Sequence, residues 1–290
     1  MILIISSKIG YVVKRLAQEA KKMKQSIKVF PANQLSGIQI KDFDVLYIRN
    51  PYINGSPKYI PHIIRLAKKF KKAGKKVVDA NVALGNLGKG KWEDYKRLMK
   101  AGLPIPRTQI LSRRTIPKTW PFILKWVYGF KGKNVYLIKN QKHFNEVFGK
   151  FPKGELLVQK FIPAQYEYKI ITVGYKALPV VLRFAIHPIT KRPDFESYKV
   201  LQFGPPLLAR RGAGGEVERL HFNKTKKLLK LITLAQKASK ALGRELSKVD
   251  ILESRGKFYI LEVNRFPGLD SFEELTKYNV TKRFLEYLQD

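Results

Sequence analysis

KVDILESRGKFYILEVNRFPG, residues 248–268, holds two short runs rich in β-branched and aromatic residues, joined by the polar Ser254, Arg255 and Gly256. This pattern predicts a β-hairpin. Three oxygen-bearing side chains stand on it as candidate metal ligands: Asp250, Glu262 and Asn264. Glu262 and Asn264 are two positions apart on one strand and therefore project from one face. Whether Asp250 joins them depends on the turn: a connection with an odd number of residues, such as Ser254 to Gly256, would pair Asp250 with Ile260, diagonal to Glu262, and bring all three ligands together. The opposite face then carries Ile251, Tyr259, Leu261 and Val263 toward a core. Two carboxylates and an amide above an apolar floor are hard-cation chemistry of the kind magnesium takes when substrate phosphates complete its octahedron. The bland alternative is an edge hairpin with a solvated acidic face.

Composition bounds the rest. At 290 residues the chain is long enough for one large or two smaller domains, and 44% hydrophobic with 27% charged residues describes a globular protein. No apolar run approaches the ~20 residues that span a bilayer, and the opening MILIIS is too short for a signal peptide, so a cytoplasmic protein without a membrane partner is expected. The absence of cysteine excludes disulfides, thiolate metal sites and cysteine nucleophiles, and four scattered histidines disfavour a zinc site. Fifty-seven Lys and Arg against 22 Asp and Glu leave a net charge of +35 that internal pairing cannot absorb. A polyanionic partner is the economical reading, with RNA or a ribonucleoprotein ahead of a membrane surface.

Outward from the hairpin, the chain begins with strands at residues 1–6, 27–30, 45–48 and 77–79 alternating with helical patterns at 9–23 and 61–73. This predicts an α/β domain with a parallel sheet over residues 1–88. Its second helix is basic, with Arg65, Lys68, Lys69, Lys71, Lys72, Lys75 and Lys76. Gly85, Gly88 and Gly90 suit a linker. A second unit, residues 89–162, opens on a helix with Trp92, Tyr95, Leu98 and Met99, stops at Gly102, and passes through Pro104 and Pro106 into a strand. Strands at 122–127 and 134–138 flank a loop whose Gly129 and Gly132 let backbone amides approach an anion, with Lys125 entering from the strand. A strand at 156–162 follows. The third unit, residues 163–290, has strands at 167–173 and 175–184 and an aperiodic stretch at 194–208 that reads as a long loop. Arg210 and Arg211 come next, before Gly212, Gly214 and Gly215, a pattern suited to a phosphate clamp. A helix at 225–242 with Leu228, Leu229, Ile232, Ala235 and Leu242 on its core side leads into the hairpin, and residues 272–287 are helical.

Together these motifs resemble the ATP-grasp superfamily and, within it, the RimK-type glutamate ligases. The resemblance runs from about residue 91 to 268, with the first domain in the place of the family's preceding α/β domain. It implies that Lys91 and Lys125 are the ATP lysines and that GFKGKNV, with Gly129 and Gly132, is the loop over the phosphates. The backbone of Gln159, Lys160, Phe161 and Ile162 would read adenine, and Glu167 would be the acidic residue after that hinge. Arg211 would be the phosphate-side arginine. Asp250, Glu262 and Asn264 would bind one or two magnesium ions, with manganese as an alternative. The chain departs from the family pattern at Asn134, where a third glycine is usual, at Glu167 and Lys169, where Asp and Arg are common, and at Arg265, a usually small position. The implied chemistry is that a carboxylate attacks the γ-phosphate of ATP to give an acyl phosphate, Arg211 stabilises it, and an amine displaces phosphate to form an amide. The carboxylate and amine are not specified, though an amino acid such as glutamate and an RNA or ribonucleoprotein acceptor fit the family and the charge. The alternatives are a phosphotransferase acting on a hydroxyl of a polyanionic substrate, and an RNA-binding protein without catalysis.

Overall fold

The structure, a computed structural model, describes residues 1–53, 56–112, 114–129, 134–202, 217–218 and 222–290. The chain opens with β1 (Ile2–Ser6), α1 (Tyr11–Lys22), β2 (Ile27–Phe30), β3 (Val45–Asn50), α2 (Ile60–Lys72) and β4 (Lys76–Val77). These strands form a parallel sheet in the order β2-β1-β3-β4. Every residue of β1 is buried, which a central strand covered on both faces requires of ILIIS. α2 packs through Ile60, Ile63, Leu66, Ala67 and Phe70 at helical spacing, leaving its lysines outward.

The second sheet follows α3 (Gly90–Lys100). It is built from β5 (Thr108–Ile110), β6 (Phe122–Trp126), β7 (Val135–Ile138) and, after α4 (Gln141–Phe148), β8 (Leu156–Lys160), in the antiparallel order β5-β8-β6-β7. α4 was not expected from the sequence; Asn140 caps it by accepting the His143 N–H at 2.8 Å.

The third sheet comprises β9 (Tyr166–Val173), β10 (Lys176–Ile186), β11 (Pro193–Gln202), β12 (Val217–Glu218), β13 (Leu246–Ser254) and β14 (Lys257–Asn264), ordered β12-β11-β10-β9-β13-β14. α5 (Phe222–Leu242) precedes the β13–β14 hairpin, and α6 (Asp270–Thr276) and α7 (Val280–Gln289) close the chain. Two expectations are corrected here. The stretch read as a loop begins with β11, whose first half is largely exposed and so lacks a hydrophobic period; its second half, Tyr198–Gln202, pairs in register with Val180–Phe184 of β10, and Pro193 meets Ile186 across an irregularity. The closing helix is two helices, broken where Lys277 takes φ 56° and Asn279 accepts the Lys282 N–H at 2.8 Å. Among the described residues no helix is long and apolar enough to cross a membrane.

One face of the third sheet, with Tyr168, Ile170, Val249, Ile251, Ile260 and Val263, packs on Leu228, Leu231, Ile232, Ala235, Ala238 and Leu242 of α5. Leu229, expected on that side, is 54% exposed and Leu231 takes its place. The other face, through Ile171 and Val173, shares a core with Ile2, Ile4, Val12 and Leu16 of the first unit and with Phe284, Leu285 and Leu288 of α7. The same second face carries Glu167 and Lys169 of β9 and, opposite Lys169, Asp250 of β13.

Candidate functional site

The hairpin turn has two residues: Ser254 pairs with Lys257 across Arg255 and Gly256, whose φ values are 48° and 72°. Both angles are positive, as a tight hairpin turn matching strand twist demands. An even connection, continued regularly, would set Asp250 opposite Leu261 and turn it away from Glu262. A β-bulge removes that conflict. Ile251 still faces Ile260, but Asp250 stands opposite Glu262, and Lys248 opposite Asn264. The common face is therefore made by a bulge at Leu261, not by an odd turn, and the expected pairing of Asp250 with Ile260 is replaced. The core side is corrected too: Phe258 and Ile260 are buried, whereas Tyr259 and Leu261 are half-buried.

Across β13 the next partner of Asp250 is Lys169 on β9. A row of alternating charge thus crosses three strands, Lys169, Asp250 and Glu262, and ends on Lys91 of α3. Lys169 Nζ lies 3.8 Å from Asp250 Oδ1 and also donates to Glu167. Lys91 Nζ donates to Glu262 Oε1 at 2.6 Å. Asn264 Nδ2 donates to Asp250 Oδ2 at 3.2 Å. Burial works against the Lys169 ammonium, but Asp250 and Glu167 together hold its pKa above the ordinary lysine value. Burial pushes the Glu262 carboxyl up, and the Lys91 contact outweighs it, so the net shift is downward. For Glu167 burial prevails over Lys169 and raises the carboxyl.

Lys91 is placed by a close backbone approach. Gly90 has φ 77°, and a Cβ there would lie 2.7 Å from Val127 Cγ1. Glycine lets the Lys91 N–H reach Val127 O at 3.0 Å, pinning the start of α3 to the end of β6. Lys125, on β6 opposite Val135 and Leu157, is 5% exposed. Its ammonium donates to Gln159 Oε1 at 2.9 Å and to the Tyr95 hydroxyl. Burial first, and the neighbouring Lys91 second, lower its pKa from 10.5 to about 7.

The Gln159 side chain is spent inside the second sheet, on Lys125 and on Thr108 Oγ1 at 2.7 Å. Lys160 is exposed, Phe161 half-buried and Ile162 buried, and the Lys160 N–H donates to Arg107 O at 2.8 Å. The Gly129 N–H donates to Trp126 O at 3.1 Å. Asn134 takes φ 57°, the left-handed conformation that asparagine tolerates and a glycine would otherwise supply. Gly132 and Arg211 lie outside the described residues. Arg265 is turned toward the first unit, where its guanidinium pairs with Asp79 Oδ2 at 3.0 Å. Burial, opposed by Arg265, pushes the Asp79 carboxyl up to about 6.

The donor set fits magnesium. Asp250 Oδ1 is buried without a hydrogen-bond partner, and the hairpin offers hard oxygens only. No three His, Cys, Asp or Glu side chains converge among the described residues, so the candidate ligands are two carboxylates and an amide. Two participants were not singled out from sequence, Tyr95 and the Lys169 contact with Asp250. Tyr95 had a signal: it follows Lys91 by four positions on α3 and so shares its face.

A family model described as ATP-grasp domain matches residues 89–268. A relative from Haemophilus influenzae, named probable alpha-L-glutamate ligase, is 24% identical over 209 residues, which cover 69% of this chain and 62% of the relative. The chain thus aligns with less than two thirds of the length of the first curated relatives it matches. Among solved structures, the ATP-grasp ligase PsnB, complexed with a phosphomimetic variant of a minimal precursor, Mg and ADP, has TM-score 0.71 at 15% identity, covering 99% of this chain and 97% of the other. The RimK domain protein from Sphaerobacter thermophilus has TM-score 0.63 at 16% identity, covering 99% and 98%.

Proposed function

The chain belongs to the ATP-grasp family, and from that premise we propose that it is an ATP-dependent carboxylate–amine ligase. The observation that carries the reading is the meeting of two lysines from α3 and β6 with the acidic hairpin. Lys91 touches Glu262, and Lys125 stands beside it with no carboxylate in contact among the described residues. Cations on one wall and hard oxygens on the other suit a polyphosphate carrying a divalent ion.

In this reading Lys91 and Lys125 neutralise nucleotide phosphates, and Gly129 and Gly132 admit backbone amides to them. The backbone of Gln159, Lys160, Phe161 and Ile162 holds adenine, with Glu167 close by. Asp250, Glu262 and Asn264 would hold one or two magnesium ions, whose charge disperses the negative charge that develops on the transferred phosphoryl group. The substrate carboxylate attacks the γ-phosphate, Arg211 stabilises the acyl phosphate, and an amine displaces phosphate. Residues 1–88, 89–162 and 163–290 are taken as the working units, the last two enclosing the nucleotide.

The relatives' name favours glutamate as the added amino acid. The charge of +35 favours a polyanionic acceptor, RNA or a ribonucleoprotein. Lys68, Lys69, Lys71 and Lys72 of α2 are exposed and available to it. Lys76 is not, because its ammonium donates to Tyr287 O at 2.6 Å. The test is ADP release with magnesium, glutamate and RNA, separately and together, with mass analysis of the product. A mass gain of glutamate minus water supports the ligase. A phosphate ester would make it a phosphotransferase, and RNA binding without ADP release would leave only the non-catalytic alternative.

A further inference from the structure

Tyr95 lies one helical turn beyond Lys91 and is 3% exposed. Its hydroxyl donates to Leu261 O at 2.7 Å and accepts from Lys125 Nζ. Leu261 is the bulge residue, the position whose extra length sets Asp250 opposite Glu262. A phenol has one proton to give. With that proton on Leu261 O, the oxygen can meet Lys125 only with a lone pair.

In its charged form, the one that binds phosphate, Lys125 has three N–H donors, of which Tyr95 and Gln159 take two. Gln159 is itself oriented, because its Nε2 donates to Thr108 Oγ1, and the Thr108 hydroxyl donates to Pro106 O at 2.7 Å. Donation therefore runs outward from Lys125 along two arms, through Gln159 and Thr108 to Pro106 O and through Tyr95 to the backbone of β14. Among the described residues it leaves the third Lys125 proton as the one still to be accepted. The outer edge of β14 is held from the same side next to the bulge, since the Ile260 N–H donates to Pro104 O at 2.7 Å.

We propose that Tyr95 is a positioning residue whose single hydroxyl fixes both the aim of Lys125 and the bulge that assembles Asp250 and Glu262, making nucleotide and divalent-cation binding interdependent. This rests on the nucleotide and magnesium reading of the site given above. A tyrosine needed only to fill the core would be replaced by phenylalanine without consequence, because its ring already packs among Leu98, Leu103 and Val127.

The experiment measures ADP affinity of the full chain by calorimetry without magnesium and across a magnesium titration. Y95F keeps the ring and removes the hydroxyl. It is expected to weaken ADP about tenfold without magnesium, the scale of one hydrogen bond to a charged group. It should also raise the magnesium concentration for half-maximal enhancement. Q159M removes the other contact aiming Lys125 and leaves the bulge alone, so it should weaken ADP without moving the magnesium midpoint. In a K125M background, Y95F should no longer change magnesium-free ADP affinity but should still shift the midpoint. Wild-type and Y95F proteins with equal ADP affinity and equal midpoints would overturn the role of Tyr95 while leaving the nucleotide site standing. A wild-type protein that binds no ADP with magnesium overturns both.

Discussion

Lys125 should make nucleotide binding consume a proton. Its ammonium is buried, with neutral hydrogen-bond partners among the described residues, and burial first and Lys91 second bring its pKa from 10.5 to about 7. At pH 8 about nine tenths of the unliganded protein would carry Lys125 neutral. A phosphate that requires the charged form then draws in about 0.9 proton on binding. Above pH 7 the ADP affinity should fall by up to about tenfold per pH unit, because each unit costs about 1.4 kcal/mol to recharge the lysine. Phosphate groups themselves titrate near pH ~6, so measurements from pH ~7.5 upward isolate the lysine. The assay is calorimetry in buffers of different ionisation enthalpy, which reads net proton uptake directly. K125R, permanently charged, should take up no proton and flatten the profile. Wild-type binding at pH 8 without proton uptake, or an affinity level from pH 7.5 to 9, would refute the reasoning. The sign for stability is opposite in sense. The unfolded chain binds the Lys125 proton between pH 7 and 10.5 while the folded one does not, so this group's contribution to stability rises with pH across that window.

Glu262→Ala should abolish ADP release yet change stability within about 1 kcal/mol, because its partner is a single lysine at a partly exposed site; a melt and a turnover assay on one preparation check both. Asp79→Ala should cost about 3–5 kcal/mol in urea unfolding, since it strands the buried Arg265 guanidinium. Because the Asp79 carboxyl is raised to about 6, the folded state keeps its proton longer than the unfolded state. Wild-type stability from this group should decline as pH rises from 3.8 to 6, a slope that D79N lacks. Replacing Lys68, Lys69 and Lys72 with glutamate should lower RNA affinity and flatten its salt dependence by about 0.7 log units per lost contact on a single strand, with ADP affinity unchanged. An unaltered salt slope would remove α2 from the acceptor surface.

Much of this protein is legible one residue at a time. The alternation of apolar strands with amphipathic helices over the first 88 residues is a local pattern, and so is the hairpin, because side-chain period and turn residues act over short distances. The motif order from Lys91 to Asn264 carries the family for the same reason. The register of that hairpin is another matter. Arg255 and Gly256 make an even turn that by itself would part Asp250 from Glu262, and the bulge at Leu261 that reunites them is held by Tyr95 and Pro104, far away in sequence. β11 is likewise invisible to periodicity, since its first half is exposed and irregular and its strand is defined by the pairing of Tyr198–Gln202 with β10. Gln159 and Arg265 show the same limit: their polar groups look free for ligand in the sequence, and the fold commits them to Lys125 and Asp79. Sequence by itself determined which groups the chain carries and which elements they lie on, though not always the face, since the bulge at Leu261 and the exposed Leu229 depart from the period. Tertiary structure alone decided which of them meet, because a buried donor or charge must find its partner wherever packing brings one, and that partner is usually on another element.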